Sequence, residues 1–231
     1  MAVGFFTHGI EYTLPHPPIP KRTILLLCNV IKRAWQLLQE KPPSGFIIHS
    51  AHEDTITQVL VEIIENHLRK NGDIPGFNYA LFGKVIREPK ITNFDKKHPD
   101  KMPDIFFDLK REKQPVLNDQ DGLFVECKPV GKTHPILSCY CNKGLVRFVN
   151  GDYAWAMQDA LIVGYNKDSY SFTKLASVLG DNSKNVDLNV TAHSIVSKSE
   201  FYTSTHNRDF EWLERNGTAC PIEVSHLWLK V

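Results

Sequence analysis

"DGLFVECKPV", residues 121–130, has the apolar content of a buried strand, yet its second half carries an acid and a base, Glu126 and Lys128. Strand side chains alternate between faces, so these two point the same way, roughly 6–7 Å apart, while Val125 and Cys127 point the other way. An exposed ion pair accounts for such a pattern and adds only about 0–1 kcal/mol of stability. A chemical role accounts for it equally well, and the flanking sequence has to discriminate.

Upstream, "MPDIFFDL" (102–109) reads as a second strand, joined to the first through the charged stretch "KREKQPVLNDQD". Two apolar strands linked by such a loop most simply form an antiparallel pair. With Asp104 opposite Glu126, Phe107 meets Leu123, Leu109 meets Asp121, and residues 110–120 are left as the loop. Directly opposed side chains have Cβ atoms about 4.5–5.5 Å apart. Two carboxylates that close repel unless one pKa rises or a cation lies between them. Mg²⁺ takes oxygen ligands and keeps several waters, which suits phosphate chemistry. Lys128, one position along on the same face, is then placed to orient or deprotonate a nucleophile, or to stabilise charge developing on phosphate.

Further out, "HEDTITQVLVEIIENHLRKNG" (52–72) is an amphipathic helix with Ile56, Leu60, Ile64 and Leu68 at helical spacing, widened by Val59 and Ile63, and Gly72 as its stop. Glu53 lies one turn before Ile56 on the buried side of that stripe, and Asp54 is one position round from it. Residues 23–40 read as an earlier helix closed by "KPPSG" (41–45), and "ALFGKVI" (80–86) as a strand. "KGLVRFVNGDYAWAMQDALIVGY" carries two signals. "VNGD" between apolar runs favours a hairpin, whereas Leu145, Phe148 and Val149 favour a helix over about 144–158 followed by the strand "ALIVGY". "SFTKLASVL" reads as a short helix, "DNSKN" as a loop, and "HSIVSKSEFYTSTH" and "IEVSHLWLKV" as late strands. That order is α/β in character.

"PD" at a strand start and "ECK" in the next strand resemble the PD-(D/E)XK nuclease superfamily, the restriction-endonuclease-like fold. The resemblance implies a core of helix, three-stranded meander, helix and strand, matching the order read over residues 53–166, with a central mixed β-sheet flanked by helices. Members often place a glutamate in the first helix, three and seven residues before apolar core positions. Glu53 fits, and Glu62, on a more polar side, is its rival. The resemblance further implies Mg²⁺-dependent phosphodiester hydrolysis, with Mn²⁺ as a substitute. Asp104 and Glu126 would ligate the metal, the Cys127 carbonyl would complete the set, and Lys128 would be the catalytic lysine. A DNA endonuclease of restriction, defence or repair type is the expected activity, with DNA ranked ahead of RNA and a homodimer or partner subunit in keeping with the superfamily. The competing expectation is a catalytically silent module of the same fold that binds nucleic acid or a protein. Residues 46–231 are read as the nuclease-like domain with a C-terminal elaboration, and residues 1–45 as an N-terminal extension packed on the core.

Composition is compatible with this. A chain of 231 residues with 42% hydrophobic and 23% charged residues can bury a full core. A net charge of +1 argues against a protein that coats polyanions, so any nucleic-acid contact has to be local. Five cysteines without framework spacing read as reduced thiols of a cytoplasmic protein. Cys139 and Cys141 are too close in sequence for a zinc knuckle. "TILLLCNVI" is too short to span a bilayer, and residues 1–22 lack the build of a secretion signal. Lys143 and Arg147, four apart, are candidate phosphate contacts on a helix face. Ser204, His206 and Arg208 are candidates on a strand face. His134 is a candidate rim residue, Tyr153 and Trp155 read as helix core with base stacking as the rival role, and "KREK" (110–113) as a soluble turn within reach of a duplex.

Overall fold

In a computed structural model, residues 14–112, 117–181, 183, 186–197, 201–212 and 217–231 are described. The chain is α/β, with one seven-stranded mixed sheet flanked by helices. The strands are β1 (Phe82–Arg87), β2 (Ile105–Leu109), β3 (Gly122–Val130), β4 (Asp159–Asn166), β5 (Val190–Ser197), β6 (Phe201–His206) and β7 (Ile222–Lys230), in spatial order β1-β2-β3-β4-β7-β6-β5. β4 is central, parallel to both β3 and β7, and its eight residues are all buried, as a strand covered on both faces must be.

The antiparallel pair follows the expected register. Phe107 lies opposite Leu123 and Ile105 opposite Val125, which carries on to Asp104, just ahead of β2, facing Glu126. The connecting loop holds a short 3₁₀ turn at Asn118–Gln120, and residues 113–116, with Lys113 of the basic turn, lie outside the described residues. The expected helix over 52–72 is α2 (Glu53–Ile63), continued by a π-helical turn (Ile64–Arg69), and Gly72 beyond it takes a positive φ of 69°. Residues 1–13 and 198–200, and parts of the "DNSKN" loop, also fall outside the described residues.

One expectation changes. The helix expected over 144–158 instead occupies Ile136–Leu145 as a π-helix and runs on as α3 (Val146–Val149), starting directly after Pro135. The apolar triad Leu145, Phe148 and Val149 is its final turn, and Asn150–Gly151 ends it, with Gly151 at φ 75°. Tyr153 and Trp155 therefore sit in a buried turn, not in a helix. That turn is clamped: a Cβ at Gly151 would meet both Phe94 and Phe210 at 2.8 Å, and those two rings stack at 4.4 Å. Residues 14–45 also share the main core. α1 (Lys21–Glu40) buries Leu27, Cys28, Ile31 and Leu38 in the same apolar cluster as Ile56, Leu60 and the sheet residues Phe124, Val163 and Leu227. α1 and α2 cover one face of the sheet, and Trp35 of α1 stacks on Tyr165 of β4. The π-helix and α4 (Phe172–Leu179) cover the other. No helix among the described residues is long and apolar enough to cross a membrane.

Candidate active site

Three chain segments deliver carboxylates to Lys128. Its Nζ lies 2.6 Å from Glu53 Oε1, 2.8 Å from Glu126 Oε1 and 3.6 Å from Asp104 Oδ2, and it donates to the Cys127 carbonyl at 2.7 Å. Each has a local reason to be there. Glu53 opens α2, where helix-terminal N–H groups favour an acid. Thr57 fixes that turn by donating to the Glu53 carbonyl at 2.9 Å, while Tyr165 of β4 donates to the Thr57 hydroxyl at 2.9 Å. Asp104 is held by the Cys127 backbone N–H, which donates to its Oδ2 at 2.6 Å across the strand pair. Glu126 and Lys128 face the π-helix, and Gly144 lets that helix settle onto them. A Cβ there would approach Lys128 Cγ at 3.0 Å and Glu126 Cγ at 3.5 Å. Glu62, the rival acid, is exposed and bonded to Gln58, so the choice of Glu53 on helical phase matches the geometry.

Glu126 is the most confined member, with a side chain 0% exposed. Tyr153 donates to its Oε2, and Arg147 Nη1 reaches both the Tyr153 hydroxyl at 3.3 Å and Glu126 Oε1 at 3.2 Å. Lys128 and Arg147 are within ion-pair range of Oε1, yet neither meets it in hydrogen-bond geometry. Burial, then the charge of Asp104, push its carboxyl up to about 7. Burial also raises Asp104 and Glu53, against the opposing pull of the Lys128 ammonium. For Lys128, burial would lower the pKa, but Glu126, Asp104 and Glu53 outweigh it and hold the ammonium above its ordinary value. The cluster is thus a partly frustrated set of buried acids around one cation, a pattern concentrated at functional sites.

A cavity of about 480 Å³ opens beside it, lined in part by Glu53, Lys128, His134, Lys143, Arg147 and Lys167. Lys143, which is exposed, and His134 line this cavity, and Lys167 adds a cation not singled out in the sequence. The strand-face candidates are not there. Ser204, His206 and Arg208 are buried, so they offer nothing to a nucleic-acid backbone. Arg208 lies beyond β6 and donates to the carbonyls of Cys220 (2.7 Å), Ala154 (3.0 Å) and Met157 (2.8 Å), holding the turn that carries Tyr153. In the basic turn, Arg111 binds Asp121 with Nε at 2.9 and 2.8 Å and Lys110 donates to the Tyr79 carbonyl, so both serve the fold.

The oxygens fit a hard divalent cation. Among the described residues, one oxygen each from Glu53, Asp54 and Asp104 lie within 4.8 Å of one another. Asp104 belongs to this group and to the expected set of Asp104, Glu126 and Cys127. Asp54, one position round from Glu53 in helical phase, was given no role on sequence grounds. Glu126 Oε1 and the Cys127 carbonyl point at the Lys128 ammonium, which already occupies the position of a cation among oxygens. An all-oxygen donor set with an under-bonded buried carboxylate oxygen suits Mg²⁺ or Mn²⁺ better than a thiophilic metal. Cys127 and Cys141 are buried free thiols, and Cys139 is half-buried. Comparison with models of protein families, with curated proteins and with solved structures finds no match to this chain.

Proposed function

We propose that the chain is a metal-dependent nuclease on a restriction-endonuclease-like core, hydrolysing phosphodiester bonds in DNA. The observation that carries this is the convergence of Glu53, Asp104 and Glu126 on Lys128 beside a cavity rimmed by Lys143, Arg147 and Lys167. The order α2, β1, β2, β3, π-helix, β4 supports it as well. Asp104 would hold the metal, with Glu53, Asp54, Glu126 and the Cys127 carbonyl as the remaining oxygen donors. Bound there, the ion would polarise the scissile phosphate and acidify a coordinated water. The protein's own part is to bring phosphate in through the rim cations, to orient it with the Lys128 ammonium, and to keep Glu126 fixed through Tyr153 and Arg147. Local basicity reconciles polyanion binding with a near-neutral chain.

One observation favours the silent-module reading: the Lys128 ammonium already stands within 2.8 Å of Glu53 and Glu126, where a metal ion would compete with it. A cleavage assay separates the two. Supercoiled plasmid, single-stranded DNA and RNA are incubated with Mg²⁺, Mn²⁺ or EDTA, using wild type, Asp104→Asn and Lys128→Ala, each checked for folding by circular dichroism. Metal-dependent cutting lost in both variants is the expected result. No cutting on any substrate, with no heat of metal binding in calorimetry, overturns the nuclease reading in favour of the silent module.

A further inference from the structure

A second cavity is larger than the one beside the carboxylate cluster. A space of about 860 Å³ lies where the parallel strands β4 and β7 end, between α1 and the start of α4. Its size is within the range of about 300–1,000 Å³ usual for small-molecule sites, and the carboxyl ends of parallel strands are where α/β sheets collect ligands. Its charged side chains, among the described residues, are cations. Lys32, Arg33 and Lys230 line it, and among the described lining residues there is no Asp or Glu. Arg33 pairs with Glu40 at 3.5 Å. The apolar wall is aromatic, with Trp35, Phe172 and Trp228. Phe172 packs on Trp228 at 4.6 Å, and Lys32 Nζ lies 4.4 Å above the Phe201 ring. Trp35 and Gln39 both donate to the Lys230 carbonyl at 3.0 Å, so the wall is held in place without a ligand.

Cations beside fixed rings, with amides and hydroxyls between them, match a group that is anionic at one end and planar at the other. We propose that this cavity is a nucleotide-binding site, taking phosphate on Lys32, Arg33 and Lys230 and the base against the aromatic wall. Two sources supply that chemistry, a free nucleotide or a nucleotide of a strand crossing the candidate active site. The second rests on the nuclease reading, and the structure supplies the adjacency it needs. Trp35 of this cavity stacks on Tyr165, at 5.8 Å and 20°, and Tyr165 lines the cavity beside Lys128.

The test is binding by the full chain in EDTA, read by tryptophan fluorescence and calorimetry, with AMP, ATP and a single-stranded DNA 12-mer as probes. Wild type is compared with Lys32→Glu, Lys230→Glu and, at the other cavity, Lys143→Glu. Saturable binding that weakens about tenfold or more in Lys32→Glu and Lys230→Glu is expected. If the free nucleotides bind and ignore Lys143→Glu, the ligand is a free nucleotide. If only the 12-mer binds, and both cavities' variants weaken it, the site is a subsite of the substrate strand. Absence of saturable binding of any probe overturns the proposal, as does wild-type binding by both Lys32→Glu and Lys230→Glu. Loss of 12-mer binding in Lys143→Glu alone overturns it and leaves the nuclease reading standing. Nucleotide binding without cleavage of any substrate supports the site and sinks the nuclease.

Discussion

Two polar networks are buried beneath the same π-helix, and they are built on opposite principles. Under Gly144, Lys128 and Arg147 face three acids whose carboxyls are all raised by burial. Under Tyr140, a neutral chain runs through β7 and β6. The Tyr140 hydroxyl donates to His226 Nδ1 at 3.0 Å, His226 Nε2 donates to Ser204 Oγ at 2.7 Å, Ser204 donates to His206 Nε2 at 2.6 Å, and His206 Nδ1 donates to the Leu188 carbonyl at 2.6 Å. One direction of donation satisfies every member of that chain, provided both histidines are neutral, and burial lowers both their pKa values. The neutral chain is what a protein builds for stability and uniqueness. The charged cluster instead crowds acids raised by burial beside a cavity, and on that arrangement the proposed chemistry rests.

The contrast breaks first at Asp104. Asp104→Asn keeps an oxygen for the Cys127 N–H and removes one charge from a crowded set. Cleavage should fall by at least about a hundredfold, the scale of losing one preorganised electrostatic group. In EDTA, urea denaturation should show stability unchanged or higher. A large loss of stability instead would make the cluster structural, like its neighbour. Ser204→Ala should do the reverse. It leaves His226 Nε2 and His206 Nε2 unpaired in a fully buried place, costing about 2–6 kcal/mol at about 1–3 per stranded group. Cleavage per folded molecule should not change.

Acid acts on the two networks with opposite signs. Glu126 is raised from 4.5 to about 7, so between those values the folded protein holds a proton that the unfolded chain has released. Its favourable contribution is present below 4.5 and lost as pH rises through 7. His206 is lowered from 6.5 to about 4 by burial, against the Leu188 carbonyl, so there the unfolded chain holds the extra proton. Its contribution is present above 6.5 and lost as pH falls toward 4. Denaturation in EDTA from pH 7.5 to 4.5 should therefore show Glu126→Gln losing stability more steeply than wild type, because the Glu126 contribution that opposes the histidine slope is gone. Equal slopes would remove Glu126 from the account.

What was legible in the sequence follows the same division. Strand alternation and an antiparallel loop were enough to put Asp104 opposite Glu126, and helical phase was enough to choose Glu53 over Glu62, because each depends on local periodicity. Alternation also put Ser204 and His206 on one face, and the structure turns that face inward, toward His226 and Tyr140 of the π-helix. A polar stripe reads as solvent-facing until a matching partner is known, and His226 is 22 residues from Ser204. The helix starts after Pro135 and ends at Asn150–Gly151, so the apolar triad, read as the beginning of a helix running on to 158, is its last turn.

Tyr153 is where this shortfall and the site meet, and it gives the smallest predicted effect. No periodicity foretells that a turn clamped by Phe94, Phe210 and Arg208 aims a phenol at an acid 27 residues away. Tyr153→Phe keeps the ring, which packs edge-on against Phe148 at 5.3 Å, and removes only the hydroxyl that Glu126 and Arg147 share. Glu126 would keep its ion pairs and lose the donor on Oε2. If the hydroxyl positions a metal-binding carboxylate, Mg²⁺ or Mn²⁺ affinity should weaken about tenfold, the lower end of what losing a supporting partner costs, with cleavage at saturating metal less affected. If it serves the fold alone, the melting temperature should fall while the metal dissociation constant of the folded protein stays put. Calorimetric titration of metal beside a thermal melt decides which, and a shift in the dissociation constant without a shift in melting would place Tyr153 with the charged network.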